Sequence, residues 1–337
     1  MNSSNVSGAK CLFENASHSS TVLVITGFAV VLFFSLIGNF LLIRVVLYDK
    51  ESRKKFPFNY LILNMAIADI LNASSAALVF ISFLTVGRHW LSGTFGLITC
   101  KLSYFSVTFS VAASILTVVT MGLDRFMAAH ATIRPLTLKG IRCAIVVIWL
   151  LAGLSASPYL YRMTTEEKSD GKCYCIGKWH EDDKKHFQYM KIEETTKFAV
   201  LYVLPLTAMV FFYAIIACKI RERSNLPVGN DRRYKIMQMN QRVVRMITAI
   251  VVIFAVCWLP VHVNHLLRSF AFSTYCKLPA ILLLSFFWLG HANCAINPWV
   301  WFMFSGHFRG LLKQVTNASS GKIQSDHVPL SPKQTSR

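Results

Sequence analysis

The chain has 337 residues, of which 54% are hydrophobic, and it carries a formal net charge of +19. This combination fits a soluble protein badly, whereas a membrane protein faces apolar side chains to lipid and gathers Lys and Arg in loops on one side. The charge does not indicate nucleic-acid binding, because that function needs a basic face on a soluble domain and the sequence offers no such domain.

Seven apolar stretches are long enough to cross a hydrocarbon core about 30 Å thick, which needs on the order of 20 residues per helix. In chain order they are approximately residues 22–43, 59–86, 97–123, 141–161, 198–220, 243–272 and 278–304. A barrel strand would need only about 10 residues of alternating polarity. The sequence therefore predicts an all-α membrane protein, with a seven-transmembrane helix bundle over residues 22–304.

Lys and Arg cluster after the first, third and fifth stretches, which places those loops in the cytoplasm and residues 1–21 outside the cell. Three glycosylation sequons, at Asn2, Asn5 and Asn15, agree with that orientation. The first stretch lies too far along the chain, and is too long, for an ordinary cleaved signal peptide, so we expect it to be retained. Residues 316–337 are predicted to be a disordered cytoplasmic tail.

Half of the 16 acidic residues lie between the fourth and fifth stretches, in a segment predicted to be one extracellular loop. They are Glu166, Glu167, Asp170, Glu181, Asp182, Asp183, Glu193 and Glu194. Their field would attract a cationic ligand over long range. The alternative is a solvated loop that charge keeps soluble.

Five cysteines lie on the predicted outer side, where disulfides persist. Cys100, at the outer end of the third stretch, can join the long acidic loop through either Cys173 or Cys175. Cys11 and Cys276 can form a second bridge. Because five thiols cannot all pair, one of them stays free or links another chain.

An ionisable group inside a membrane span is costly and indicates function. Asp69 lies in the middle of the second stretch, and the candidate partners at a similar depth are Asn39, Ser114, Asn293 and Asn297. Hard oxygen ligands of this kind suit a small alkali cation. The alternative is a structural hydrogen-bond network without an ion.

Asp124 and Arg125 emerge at the inner end of the third stretch, where they can hold each other when the protein is idle. The alternative is an ordinary interface charge pair, which contributes little. Prolines also fall inside four stretches, where each removes a backbone hydrogen bond and can bend its helix. They are Pro158, Pro205, Pro260 and Pro298.

Together these residues resemble the rhodopsin-like (class A) G-protein-coupled receptors, and they are most similar to the neuropeptide receptor group. The matching positions are Asn39, Asn64, Asp69, Cys100, Asp124, Arg125, Trp149, Pro205, Tyr213, Cys257, Trp258, Leu259, Pro260, Asn297 and Pro298. The resemblance implies a plasma-membrane receptor rather than an enzyme. Its partners would be a heterotrimeric G protein, arrestin, receptor kinases and membrane lipid, with no nucleic acid. A short membrane-surface helix is implied over residues 305–315.

The resemblance also implies roles for single residues. A sodium ion would be bound by Asp69, Ser114, Asn293 and Asn297 and would favour the resting state. The Cys100 disulfide would be made with Cys175, which has the loop spacing of peptide receptors relative to Trp179. The activation switch would consist of Ile115, Asp124, Arg125, Pro205, Tyr213, Phe254, Trp258, Pro260, Pro298 and Trp301.

Among the positions that depart from the family pattern, Trp301 and Asn240 bear on activation, and Phe126 stands where many relatives have Tyr. Trp301 stands where the family normally has Tyr, and an indole cannot supply the phenolic oxygen that relatives use through water to reach Tyr213. Asn240 stands where some relatives carry a Glu that locks the Arg. Weaker restraint of Arg125 predicts some basal activity.

The resemblance to the family also bears on which ligand the receptor binds. Val107 stands where amine receptors place an Asp, which argues against a biogenic amine as the ligand. His291 stands where opsins carry the retinal-binding Lys, which argues against a light receptor. The predicted ligand-binding residues are Tyr104, Val107, Thr108, Glu193, Glu194, Lys197, His262, His265, Arg268, Phe287 and His291. This mixture suits a short cationic or amidated neuropeptide.

Other ligands and other classes of protein remain as alternatives. A class A receptor can bind a lipid or another small molecule instead of a peptide. His262, His265 and His291 are candidate ligands of a zinc ion. A transporter is disfavoured because the two halves show no evident internal repeat. An intramembrane hydrolase using Asp69 lacks a second positioned acid or a nucleophile and base pair.

Overall fold

The computed structural model of the protein describes residues 18–50, 56–86, 89–129, 135–169, 171–224 and 231–319. The predicted glycosylation sites Asn2, Asn5 and Asn15 lie outside the described residues, as do Cys11 and the predicted tail from residue 320 onward. The side chain of Asn240 is also outside them. Predictions about these residues stay predictions.

Seven helices in the described ranges are long and apolar enough to cross a membrane. In chain order they are His18–Tyr48, Asn59–Thr85, Gly93–Ala129, Leu138–Arg162, Asp183–Lys219, Val244–Phe270 and Ala280–Phe304. They are called the first to the seventh span below. Each overlaps one predicted stretch, so the predicted seven-helix membrane bundle is confirmed.

Two spans are built from more than one helical segment, and the sixth span is part of a longer helix. The segments are Leu138–Ala156 and Pro158–Arg162 in the fourth span, Asp183–Phe198, Ala199–Val203 and Leu204–Ser224 along the fifth, and Asp231–Phe270 around the sixth, followed by Phe272–Lys277. Breaks in the fourth and fifth spans fall at prolines. Pro158 begins a new segment, and a π-helical turn directly precedes Pro205, because proline lacks the N–H that would continue the α-helical ladder.

The fifth span begins 15 residues earlier than predicted, at Asp183 instead of residue 198. The Asp182 carboxylate caps this helix by accepting a hydrogen bond of 2.9 Å from the Lys185 N–H. The expectation that Glu193 and Glu194 belong to a loop is therefore wrong, since both lie in the helix and are buried. Hydropathy missed this helix because its outer part is polar and packs through charged contacts.

The fourth and fifth spans are joined through a two-stranded antiparallel sheet of β1 (Met163–Glu167) and β2 (Cys173–Gly177). Cys175 on β2 forms a disulfide with Cys100 at the outer end of the third span, which confirms the predicted pairing. Cys173, also on β2, has a free thiol. Cys276 is disulfide-bonded, but its predicted partner lies outside the described ranges.

Close contacts of the seventh span depend on two glycines. A Cβ on Gly38 of the first span would lie 2.6 Å from Pro298 Cγ, and a Cβ on Gly290 would lie 2.5 Å from Val261 Cγ2 of the sixth span. Small residues let helix backbones approach closely in a membrane, where packing rather than hydrophobicity drives helix association. The seventh span is therefore held closely against both neighbours.

After the seventh span, a helix runs from Gly306 to Ser319, four residues beyond the predicted end at residue 315. Phe308 and Val315 of this helix are buried against the bundle. The Phe308 ring lies 5.7 Å from the Trp301 ring, edge to face. The helix is thus attached to the inner end of the seventh span.

Replacing Gly290 by Ala should lower the thermal unfolding midpoint of the purified receptor. The added methyl would overlap the Val261 side chain, and overpacking of this kind typically costs about 1–3 kcal/mol. Gly310→Ala is the matched control, since its Cβ would meet no described atom within 4 Å. Equal midpoints for the two variants would show that the sixth and seventh spans do not approach this closely.

Replacing Cys175 by Ser should reduce the amount of folded receptor at the cell surface. The bridge joins residues 75 positions apart, and a loop of this size is associated with about 4 kcal/mol of stabilisation. Cys173→Ser, two residues away on the same strand, should leave surface expression near the wild-type level. Surface labelling of an N-terminal epitope measures both, and equal losses would contradict the assigned pairing.

Candidate ligand-binding site

A cavity of about 210 Å³ lies among the second to seventh spans. Ten of the eleven residues predicted to bind ligand line it. They are Tyr104, Val107, Thr108, Glu194, Lys197, His262, His265, Arg268, Phe287 and His291. Glu193 is the exception, because its carboxylate is turned toward other side chains beside the cavity.

Glu193 lies at the centre of a buried charge network on the fifth span. One carboxylate oxygen pairs with Lys197 Nζ and lies 3.3 Å from Arg162 Nε. The other oxygen accepts a hydrogen bond of 2.8 Å from Trp179 Nε1. Both cations also lie over the Tyr159 ring, at 4.3 Å for Lys197 and 4.4 Å for Arg162, which is within the range of a cation–π contact.

Glu194 is surrounded by positive and polar groups at longer distances. Its carboxylate lies 3.6 Å from Arg268 Nη2, 3.9 Å from Lys197 Nζ and 3.6 Å from His265 Nδ1. These separations exceed hydrogen-bond distance. Within the part of the chain that the structure describes, Glu194 Oε1 and Arg268 Nε have no hydrogen-bond partner. This part of the wall therefore offers one acceptor and one donor.

Three cations, Arg162, Lys197 and Arg268, thus surround the two carboxylates. Glu193 and Glu194 are already matched by positive charge, so this arrangement does not support their predicted attraction for a cationic ligand. Arg162 and Tyr159 line the cavity but were not among the predicted residues. A basic residue at the outer end of the fourth stretch was the available signal, because such a residue either reaches water or turns into the bundle.

His291 connects the cavity to deeper residues. Its Nδ1 lies 2.8 Å from Asn72 Oδ1 on the second span, and its ring lies 5.6 Å from the Trp258 ring. Trp258 also lines a second, much smaller cavity together with Ile115 and Phe254. Predicted switch residues therefore lie directly below the ligand cavity. Pro205 is buried at the start of the inner part of the fifth span.

Asp69 is fully buried and joins three spans. One oxygen accepts a hydrogen bond of 2.7 Å from Ser114 Oγ on the third span, and the other accepts one of 2.8 Å from Asn297 Nδ2 on the seventh. Asn293 and Ser114 line the small inner cavity. Asn39, another predicted partner of Asp69, instead donates to the Cys294 carbonyl oxygen at 3.1 Å.

At the inner end of the bundle, Arg125 pairs with Asp124. The second Asp124 oxygen accepts a hydrogen bond of 3.0 Å from the Leu136 N–H. Tyr213 is buried, and its hydroxyl has no hydrogen-bond partner among the described residues. Trp301 is also buried and packs against aromatic side chains. The predicted idle pairing of Asp124 with Arg125 is therefore present.

The histidines of the cavity do not assemble a metal site. In the described ranges, no group of three or more His, Cys, Asp or Glu residues is arranged to hold a metal ion. His262 packs against the aromatic rings of Phe198 and Tyr202, at 5.6 and 5.1 Å. The described residues therefore offer no set of three such ligands for the zinc alternative.

The chain is similar to several receptors. It is 28% identical to the tachykinin-like peptides receptor 99D of Drosophila melanogaster, over 82% of this chain and 54% of that receptor. It is 28% identical to the substance-P receptor of Meriones unguiculatus, over 90% and 75%. It is 27% identical to neuropeptide FF receptor 2 of Rattus norvegicus, over 86% and 71%. The matched part is thus about half the length of the Drosophila receptor.

A family model for the seven-transmembrane receptors of the rhodopsin family matches residues 38–301. The matched residues include the Asp124–Arg125 pair, the Asp69 network and all residues that line the cavity. The match confirms the resemblance inferred from the motifs. The chain therefore belongs to the rhodopsin family of seven-transmembrane receptors, whose members are multi-pass plasma-membrane receptors rather than enzymes.

Proposed function

We propose that this receptor binds a short extracellular peptide between its spans and in response activates a heterotrimeric G protein in the cytoplasm. The observation that carries the proposal is the position of Trp258, which lines both the ligand cavity and the small cavity beside the Asp69 network. The relatives named above are receptors for tachykinin-like peptides, substance P and neuropeptide FF, which supports a peptide as the ligand. Arrestin and receptor kinases are proposed as further partners, and membrane lipid surrounds the spans.

The charged wall favours an amidated peptide over a cationic one. A terminal carboxamide can donate an N–H to Glu194 Oε1 and accept from Arg268 Nε, and these two atoms lack hydrogen-bond partners among the described residues. A free carboxylate would bring its negative charge against Glu194. A cationic end would meet a wall with three cations and two carboxylates. A hydrogen bond to a charged group contributes about 1.5–3 kcal/mol, so the preference should be large.

Binding would act by shifting a balance between states that already exist. The ligand favours the state in which Trp258 and the seventh span are rearranged, and the inner ends of the spans then open toward the G protein. A ligand shifts this balance only by its difference in affinity for the two states. Arg125 and Tyr213 at the inner end are the residues proposed to meet the G protein.

Mixed libraries of tetrapeptide amides should stimulate nucleotide exchange in membranes that contain the receptor and a panel of G proteins. Matched libraries of tetrapeptide free acids should be about tenfold weaker or more, which corresponds to the loss of one hydrogen bond to a charged group. The measurement is nucleotide exchange against peptide concentration, with membranes lacking the receptor as the background.

Glu194→Gln should weaken the response to the amides about tenfold, because it removes the charged acceptor. Glu181→Gln is the matched control, since Glu181 pairs with Lys178 on the outer surface, away from the cavity lining. Equal potency of the acids and the amides would contradict recognition of a terminal carboxamide, but would remain compatible with a peptide as the ligand. Failure of every peptide with every G protein would overturn the peptide function itself.

Asp69, Ser114, Asn293 and Asn297 are proposed to bind a sodium ion that favours the resting state. The donor set fits this ion, because it consists of hard oxygen ligands with one buried carboxylate. Among the described residues, Asn293 Oδ1 and Asn297 Oδ1 are buried and lack hydrogen-bond partners. An unpartnered oxygen at this depth is costly, and a cation would satisfy it.

Sodium should lower basal nucleotide exchange in the wild-type receptor, and Asp69→Asn should abolish that effect by removing the negative charge. Ser114→Ala should weaken it. Ser110→Ala is the matched control on the same helix, because the Ser110 hydroxyl donates to the Ser106 carbonyl oxygen at 2.7 Å. The measurement compares sodium chloride with N-methylglucamine chloride at equal ionic strength. No difference between the two salts in the wild type would contradict a sodium site.

A further inference from the structure

Arg125 makes a second contact besides its pairing with Asp124. Its guanidinium carbon lies 4.3 Å from the centre of the Phe58 ring. A cation within about 6 Å of an aromatic ring face is attracted by the negative face of the ring, and the attraction is stronger where water is partly excluded. The Arg125 side chain is 25% exposed, so part of its charge is removed from water.

The Phe58 ring is fixed in place from two directions. Phe58 lies in the turn that begins the second span, where its carbonyl oxygen accepts a hydrogen bond of 3.0 Å from the Leu61 N–H. The Trp301 ring of the seventh span lies 6.2 Å from the Phe58 ring. Trp301 in turn packs edge to face on Phe308 of the membrane-surface helix, at 5.7 Å. A row of three rings therefore ends at the Arg125 guanidinium.

Trp301 contributes to this row by packing. Its indole N–H is buried and has no hydrogen-bond partner in the described part of the chain. The side chain therefore contacts its surroundings through its faces and edges rather than through a polar group. Any displacement of the seventh span at this level moves the Trp301 ring and removes the support behind Phe58.

From these contacts we infer that Phe58 is a positioning residue that holds the Arg125 guanidinium in the resting state, with Trp301 supporting its ring. The inference rests on the proposed function, because it assigns Arg125 to the contact with the G protein. Release of Arg125 requires separation from both a carboxylate and a ring face. The ring contact couples that release to the seventh span, which the pairing with Asp124 on the same helix cannot do.

Phe58→Leu should raise basal nucleotide exchange, measured without any peptide, about two- to fivefold, the ratio that corresponds to an exposed cation–π contact. Leu keeps much of the apolar volume but has no ring face. Phe58→Tyr and Phe58→Trp keep the ring face and should remain near the wild-type level. Trp301→Leu should raise basal exchange in the same direction, and Trp301→Phe should do so less.

Phe109→Leu is the matched control. Phe109 lies on the same span as Arg125 but packs on Trp149 and Phe105, at 4.9 and 5.3 Å. Its loss tests whether removing any ring that packs inside the bundle raises basal exchange. Surface expression and thermal midpoints are measured for all variants, and exchange is expressed per folded receptor. Should Phe58→Leu fail to fold, the comparison of Trp301→Leu with Trp301→Phe supplies the same test.

Equal basal exchange in Phe58→Leu and the wild type would overturn the inference, provided that the wild type responds to peptide amides. A rise shared by Phe58→Leu, Phe58→Tyr and Phe109→Leu would also overturn it, since the ring face would then not be the cause. A wild type that catalyses no exchange with any peptide would overturn the proposed function, and this inference with it.

Discussion

Lipid supplies no hydrogen-bond partners, so a buried carboxylate inside the bundle must be satisfied by groups of the protein or by an ion. Asp69 meets this demand through Ser114 and Asn297, which brings the second, third and seventh spans together at one depth. Because none of the three can move alone without leaving a buried carboxylate short of partners, they respond as a unit. This network therefore couples three spans at the depth of Asp69.

The outer charge network obeys the same constraint with ions instead of amides. Glu193 is hydrogen-bonded by Lys197 and Trp179, whereas the cations around Glu194 balance its charge from beyond hydrogen-bond distance. A carboxylate whose oxygens are hydrogen-bonded is satisfied within the fold, whereas one with an unused oxygen can gain a hydrogen bond from a ligand. Glu193 is therefore held within the fold, and Glu194 is the carboxylate in the cavity wall that can accept a hydrogen bond from a ligand.

Hydropathy and motif order predicted the seven spans, the disulfide and ten of the 21 residues that line the cavity, because these depend on lipid exposure and on spacing along the chain. The early start of the fifth span at Asp183 was not predictable in this way, since its polar outer turns carry no apolar signal. Arg162 and Phe58 were missed for a different reason. They contact side chains that are distant in sequence, Glu193 and Trp301, so a local pattern could point to Arg162 as a basic residue at a span end but could not name the partner of either residue.

The extended fifth helix has a mechanical consequence. Its outer segment Asp183–Phe198 has 16 residues, which makes a rigid lever about 24 Å long at 1.5 Å per residue. Its outer half carries the exposed Phe187 and Tyr189, its inner half carries Glu194 and Lys197 of the cavity wall, and a π-helical turn follows. A ligand that touches the exposed side chains therefore touches the same helical segment that carries part of the cavity wall. An agonist can be far larger than the cavity and still act on its interior.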